Sequence, residues 1–165
     1  MDPNGQDGHD EILDASSDLE AGVLDPEFCA EIEKYLKDCM NGNEETIDMS
    51  DSLILDYGAK LVATTAPLCD NLQIIRLKQC HITDTGAIEL FQELRAHPTL
   101  QYLDLSYNPI TSVCLPLLTQ LLQENPALVI NLQKSGINVG EALDFLGGLK
   151  ECVGEEGEEG KRLFL

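Results

Sequence analysis

Tryptophan is absent from this 165-residue chain, and all aromatics together make up 5% of it. Since 43% of the residues are nonetheless apolar, any core must be built mostly of Leu, Ile and Val. Basic residues are also scarce, with 10 Lys and Arg against 30 Asp and Glu, for a formal net charge of -20. Binding a nucleic-acid backbone or an anionic lipid surface takes clustered Lys and Arg, so neither nucleic acid nor membrane is expected as a partner. No apolar run approaches the ~20 residues of a membrane span, and the first residues lack the basic start and apolar stretch of a secretory signal. A cytoplasmic location is the expectation. The six cysteines form no CxxC pair and lack the dense spacing of a secreted disulfide scaffold, so they are expected as reduced, mostly buried thiols. His9, His81 and His97 lie far apart, without a serine elbow, phosphate-cradling loop or metal-ligand pair beside them. No catalytic residue, metal ligand or cofactor is therefore assigned, and the chain is not expected to be an enzyme.

The charge is uneven. Residues 1–51 hold sixteen acids and two lysines, residues 52–150 nine acids and six bases, and the last fifteen residues five acids and two bases. Residues 1–24, with seven acids and no Lys or Arg, have the composition of a disordered acidic tail. Residues 25–43 start with Asp-Pro-Glu, carry a stripe of Phe28, Ile32, Tyr35, Leu36 and Cys39, and reach Gly42. That pattern predicts a capping helix with Asp25 at its N-cap and Gly42 at its stop. Residues 151–165 form a second acidic tail, "ECVGEEGEEGKRLFL", ending in an apolar segment.

Between the tails the sequence repeats itself. "LQYLDLSYNPI" at 100–110, moved back by 28 residues, falls on "LQIIRLKQCHI": Leu100, Leu103, Leu105, Asn108 and Ile110 lie over Leu72, Ile75, Leu77, Cys80 and Ile82. The match runs on through Gly86 and Cys114, Leu90 and Leu118, and Pro98 and Pro126. A step back reaches Ile47, Met49, Ser52 and Ile54. A step forward, with one residue deleted, reaches Leu128, Ile130, Leu132, Ser135 and Ile137, then Phe145 and Leu149. Each unit opens with strand-like alternation and closes with helical spacing, giving about four strand–helix repeats over residues 44–150.

The pattern LxxLxLxx(N/C)xL in a 28-residue unit resembles the leucine-rich repeat, and the length with a full helix resembles its ribonuclease-inhibitor-like class. Only Asn108 is a true Asn at the turn position, where Ser52, Cys80 and Ser135 stand in the other units. The resemblance implies an α/β fold: a short right-handed solenoid with parallel strands on its concave face. It also implies a buried Asn108, bonded to backbone.

Aligned by the period, the residues between the buried strand positions form three concave rows. The first is Thr46, Ile74, Tyr102 and Val129; the second Asp48, Arg76, Asp104 and Asn131; the third Ser50, Lys78, Ser106 and Gln133. Arg76 is expected between two aspartates. Such a surface could be a solvated charge ladder or a recognition surface anchored on Ile74 and Tyr102; the candidate partner-binding residues are Asp48, Ile74, Arg76, Lys78, Tyr102, Asp104, Ser106, Asn131 and Gln133. Four strands about 4.8 Å apart offer only a few hundred Å² of face, against about 800 Å² per partner in a standard interface. A stable protein partner must touch more of the molecule, as in a larger assembly. At the carboxyl end Lys161, Leu163 and Phe164 belong to a segment that is either a lid on the stack or a docking peptide. These features lead to a non-enzymatic protein–protein interaction module, a scaffold or adaptor, with cytoskeletal, ciliary or axonemal association implied by likeness to tropomodulin-like and ciliary repeat proteins. The alternatives are an acidic inhibitor or chaperone-like binder of basic proteins and, third, a GTPase-activator-like regulator using Arg95. Oligomeric state is left open.

Overall fold

The computed structural model describes residues 24–154 and 159–165. Helix α1 (Pro26–Gly42) leads into four strand–helix units: β1 (Thr46–Asp48) with α2 (Leu55–Thr65), β2 (Ile74–Arg76) with α3 (Asp84–Glu93), β3 (Tyr102–Asp104) with α4 (Leu115–Glu124), and β4 (Val129–Asn131) with α5 (Val139–Leu146). Two further strands, β5 (Val153–Gly154) and β6 (Leu163–Phe164), complete a six-stranded sheet in the order β1-β2-β3-β4-β6-β5. All five pairings are parallel. Residues 1–23 and 155–158, which include nearly all of the amino-terminal acidic segment, lie outside the described residues.

The register follows the sequence period. Ile47, Ile75, Leu103 and Ile130 are the central residues of β1 to β4 and pair across neighbouring strands. All four are buried, while the residues on either side in β2 and β3 are half-buried. Alternate side chains of a strand point to opposite faces, so a three-residue strand contributes one core residue and two concave ones. The core then runs as one cluster from Ile32 and Leu36 on α1 to Leu163 on β6.

Local chemistry sets the helix ends. Asp25 Oδ1 accepts hydrogen bonds from the backbone N–H of Glu27 (2.7 Å) and Phe28 (3.3 Å), satisfying donors that α1 leaves free at its start. At the other end Gly42 is still helical, contrary to the sequence expectation; Asn43 takes the left-handed position at φ 57°, which Asn tolerates better than most residues. Tyr35 is diverted from the apolar stripe. Its hydroxyl donates to Asp48 O (3.3 Å) and accepts from Asp48 N–H (3.1 Å), covering part of the open edge of β1.

Two ladders join successive units. Asp56 Oδ1 accepts from Thr83 N–H (2.8 Å) and Gly86 N–H (3.1 Å), and its Oδ2 accepts from Thr83 Oγ1 (2.6 Å). One unit on, Asp84 accepts from Thr111 N–H and Thr111 Oγ1, both at 2.6 Å. The start of each of these helices is thus held by the aspartate of the preceding helix. The second ladder serves the helix ends: His97 Nε2 lies 2.9 Å from Ala66 O, Asn125 Nδ2 donates to Arg95 O and Leu121 O, and Arg162 Nη1 donates to Leu122 O (3.3 Å) and Asn125 O (3.1 Å). A carbonyl only accepts, so the His97 proton sits on Nε2 and Nδ1 faces Thr99 N–H at 3.4 Å.

The fourth unit departs from the alignment. Phe145, placed over Leu118 by the 27-residue step, is 51% exposed, while Ala142 and Leu146 are buried. One residue of phase turns a helical side chain by about 100°, enough to exchange Phe145 for Leu146 at the core.

Gly86 shows how closely α2 and α3 approach. A Cβ there would lie 2.6 Å from Asp56 Oδ1 and 2.9 Å from Ala59 Cβ. Gly86→Ala should therefore destabilise by ~1–3 kcal/mol through overpacking, read as a lowered urea midpoint. A second expectation concerns the last strand: removing residues 161–165 strips Leu163 and Phe164 from the core and should lower the melting temperature by several degrees.

Candidate functional site

The concave rows form as the period predicted: Thr46, Ile74, Tyr102 and Val129 pair in one row, and Asp48, Arg76, Asp104 and Asn131 in the next. The third row is carried by backbone bonds one step on, with Asp51 N–H donating to Lys78 O (2.8 Å), Gln79 N–H to Ser106 O (2.9 Å) and Tyr107 N–H to Gln133 O (2.9 Å). Every member of the first row is half-buried, so Ile74, Tyr102 and Val129 make a short apolar ridge across three strands.

The polar rows are less open than the sequence suggested. Ser106 is 3% exposed and Asn131 4% exposed. Asn131 pairs with Phe164 of the neighbouring strand, and its Oδ1 accepts from Gln133 N–H (3.0 Å). Asp48 and Asp104 make the same local bond, to Ser50 N–H (3.1 Å) and Ser106 N–H (2.9 Å). In three of the four units the second-row side chain thus shapes the exit from its own strand, a use common to Asp and Asn. Arg76 Nη1 lies 3.6 Å from Asp48 Oδ2, a half-exposed pair worth about 0–1 kcal/mol. Asp104, expected on its other flank, is engaged by the Ser106 turn. The Lys78 ammonium stands 5.3 Å from the centre of the Tyr107 ring, within cation–π range. What remains accessible to a protein is Ile74, Tyr102 and Val129, with Asp48, Arg76, Lys78, Asp104 and Gln133 around them.

The carboxyl-terminal candidates lie elsewhere. Leu163 is 0% and Phe164 4% exposed, and Lys161 Nζ donates to Glu151 O (3.2 Å). Docking onto another protein would require this segment to leave the sheet. Arg95, the arginine of the GTPase-activator reading, donates from Nε to Glu124 Oε2 at 3.0 Å.

Beneath the concave face lie the turns that follow each strand. Asp51, Gln79, Tyr107 and Lys134 occupy equivalent places with φ between 54° and 60°. None is glycine, so the sequence held no sign of them; the left-handed region costs an ordinary residue about 1–2 kcal/mol. Asn108 compensates. It is 1% exposed. Its Oδ1 accepts from Cys80 N–H (2.9 Å) and Ile82 N–H (3.0 Å), and its Nδ2 donates to Leu77 O (2.7 Å), Leu105 O (3.0 Å) and Ser106 O (3.3 Å). One amide thereby satisfies buried backbone in two units. Cys80 does part of this work for the unit before it, its thiol donating to Met49 O (3.1 Å). Burial pushes the Cys80 thiol up to about 11 and the Cys114 thiol up to about 12. The Asp56/Asp84 ladder and the His97/Asn125 pair were missed at the sequence level, although Asp56 to Asp84 and His97 to Asn125 each repeat at the period of 28 already visible.

Asn108→Ala should destabilise by ~1–3 kcal/mol in a urea titration, because it strands buried backbone groups. Tyr102→Ala should cost under about 1 kcal/mol in the same titration, since its side chain is half-exposed and surface changes are small. At mildly alkaline pH a thiol reagent should label the half-buried Cys29 and Cys152 in the native chain. Cys39, Cys69, Cys80 and Cys114, all buried and all with thiols pushed up chiefly by desolvation, should react only on unfolding.

Among the described residues no three His, Cys, Asp or Glu side chains are grouped to hold a metal ion. Nor is any helix there long and apolar enough to cross a membrane. In comparison with known proteins, the family described as Leucine Rich repeat matches residues 69–91 and 96–113, which span β2, most of α3, β3 and the turn pinned by Asn108. No curated protein matches the sequence. With that match on the two central units and the same strand, turn and helix recurring on either side of them, the fold is that of a short leucine-rich-repeat solenoid.

Proposed function

We propose that this chain is a non-enzymatic adaptor that binds a protein partner through its concave strand face. Leucine-rich repeats typically mediate protein–protein interaction, and the observation that carries the reading here is the half-buried ridge of Ile74, Tyr102 and Val129 across three strands. An apolar anchor ringed by charged groups is the usual arrangement of an interface centre. Around it stand Arg76 and Lys78 on one strand, with Asp48 and Asp104 on its two neighbours, so a partner with both charges in a matching pattern fits better than one of a single sign. The face is small, which favours a subunit held in a larger assembly over a tight binary complex. A 28-residue period with a full helix per unit supports the ribonuclease-inhibitor-like class. A cytoskeletal or axonemal setting rests on likeness of fold.

A second reading, an acidic binder of basic proteins, draws on the net charge of -20. The two differ in what the amino-terminal acids do. Capture partners from the native source with a tagged full-length chain, then compare association rates for the full-length chain and a chain beginning at Asp25 across a salt series. For the adaptor, removing residues 1–24 should change the on-rate less than about twofold, because exposed charges are screened beyond about 8 Å at physiological salt. Tyr102→Ala should weaken capture about tenfold or more, as expected of an anchor residue. A large salt-dependent loss of on-rate on truncation, with Tyr102→Ala harmless, would replace the adaptor with the basic-protein binder.

A further inference from the structure

The seam between α1 and α2 breaks the pattern of the stack. Moved forward by the 28-residue period, Leu61 and Leu68 fall on Glu89 and Ala96, and a second step reaches Leu117 and Glu124. The repeat therefore does not call for an apolar side chain at position 68, yet Leu68, in the turn that ends α2, stands there 64% exposed. It belongs to a groove of about 410 Å³ whose apolar lining is Leu36, Met40, Leu61 and Leu68. The groove is fixed by its own bonds. Tyr57 donates its hydroxyl proton to Glu33 Oε1 at 2.9 Å, tying α2 to α1. Thr64, also in the lining, turns its hydroxyl back to Lys60 O (3.1 Å) and Leu61 O (3.0 Å) of its own helix, so its polar atom is already satisfied.

Spacing and charge define the occupant. The lining runs from Glu33 to Met40 on α1 and from Leu61 to Leu68 on the other side, with residues recurring three and four apart. Seven helical residues rise about 10.5 Å, or two turns, so the seam has the length for two turns of a third helix whose apolar residues recur at the same spacing. The surroundings are negative. Residues 1–42 hold twelve acids against Lys34 and Lys37; Glu27, Glu31, Glu33 and Asp38 are exposed along α1, and the seven acids of residues 1–24 join the chain at the head of that helix. An apolar slot in such a field favours a cationic partner.

We infer that the seam between α1 and α2 is a docking groove for a basic amphipathic helix of a partner protein. The apolar stripe of that helix enters beside Met40, Leu61 and Leu68, and its lysines or arginines face the acids of α1. The chain's own residues 1–24 and a second copy, of net charge -20, bring the wrong sign of charge. The groove lies on the helical side of the solenoid, so it is separate from the concave ridge and does not rest on the adaptor reading.

The probe is a synthetic peptide of about 14 Leu and Lys residues with its leucines at helical spacing. It is titrated calorimetrically into the full-length chain at physiological salt, beside a scrambled peptide of the same composition. The expected result is one-to-one binding that weakens as salt is raised and is about tenfold or more tighter than that of the scrambled peptide. Leu68→Ser should weaken it about tenfold, the scale of one buried leucine, with the melting temperature unchanged because the side chain is mostly exposed. Phe145→Ser, which removes an exposed aromatic on α5, and Tyr102→Ala should both bind as wild type does. Equal binding of the two peptides, no binding of either, or no effect of Leu68→Ser overturns the inference. So does a loss confined to Tyr102→Ala, which puts the peptide on the concave face. A chain beginning at Asp25 should bind no more tightly than the full-length chain. Tighter binding identifies the occupant as the chain's own amino-terminal segment, and a peptide-free dimer lost in Leu68→Ser identifies it as a second copy; either result overturns the inference.

Discussion

Everything in this molecule depends on turning the chain through a sharp corner after a strand of only three residues. The corner puts backbone N–H and C=O groups where water cannot reach them, and a buried group left unpaired costs ~1–3 kcal/mol. Asn108 meets five of these needs with one side chain, reaching back to Cys80 and Ile82 as well as into its own unit. An amide suits the place because it donates and accepts at once. Cys80 can donate only weakly, and the burial that raises its pKa keeps it a thiol and hence a donor. The corner also absorbs the left-handed backbone at Gln79 and Tyr107. It is the central, best-satisfied turn that holds the less well furnished ones in register.

The same constraint decides what the concave face can offer. Asp48, Asp104 and Asn131 look from the sequence like a row of recognition residues, yet each spends an oxygen on the backbone two residues ahead. A side chain committed to shaping a strand exit is less free to meet a partner. Their register-mate Arg76 makes no such bond, since a guanidinium cannot accept one. The first row offers half-buried apolar surface instead, which is why Ile74, Tyr102 and Val129 make the better anchor.

The strand register, the buried line from Ile47 to Ile130 and the role of Asn108 were legible because a period of 28 residues repeats them, and repetition averages out local ambiguity. The fourth unit was misread where the repetition falters: its strand comes 27 residues after β3, Leu103 to Ile130, but its helix returns to the 28-residue phase, Leu118 to Leu146, so the deletion carried into the helix picks Phe145 in place of Leu146. The Asp56–Thr83 and Asp84–Thr111 clamps were hidden for another reason. They join units through hydrophilic residues, which a search for apolar spacing passes over. The left-handed turns were invisible because no glycine marks them. Burial of Ser106 and Asn131 depends on the solenoid as a whole and on β6 arriving beside β4, and neither is encoded near those residues.

A stack of identical units has no natural end, so both ends need separate solutions, and the two found here differ in kind. At the amino end α1 covers the first core layer with Ile32, Leu36 and Cys39, while the Tyr35 hydroxyl occupies both backbone hydrogen-bonding groups of Asp48. That cover is built from side chains of a helix and is fixed before the repeats begin. At the carboxyl end the cover is backbone: β6 pairs with β4 through two backbone hydrogen bonds, β5 lies outside it at the sheet edge, and Arg162 ties β6 to the end of α4. A strand pairs through backbone groups that every residue carries, so its fit here is set by the buried Leu163 and Phe164 and by the reach of Arg162. The amino end is therefore closed by the side chains of a packed helix and the carboxyl end by backbone pairing.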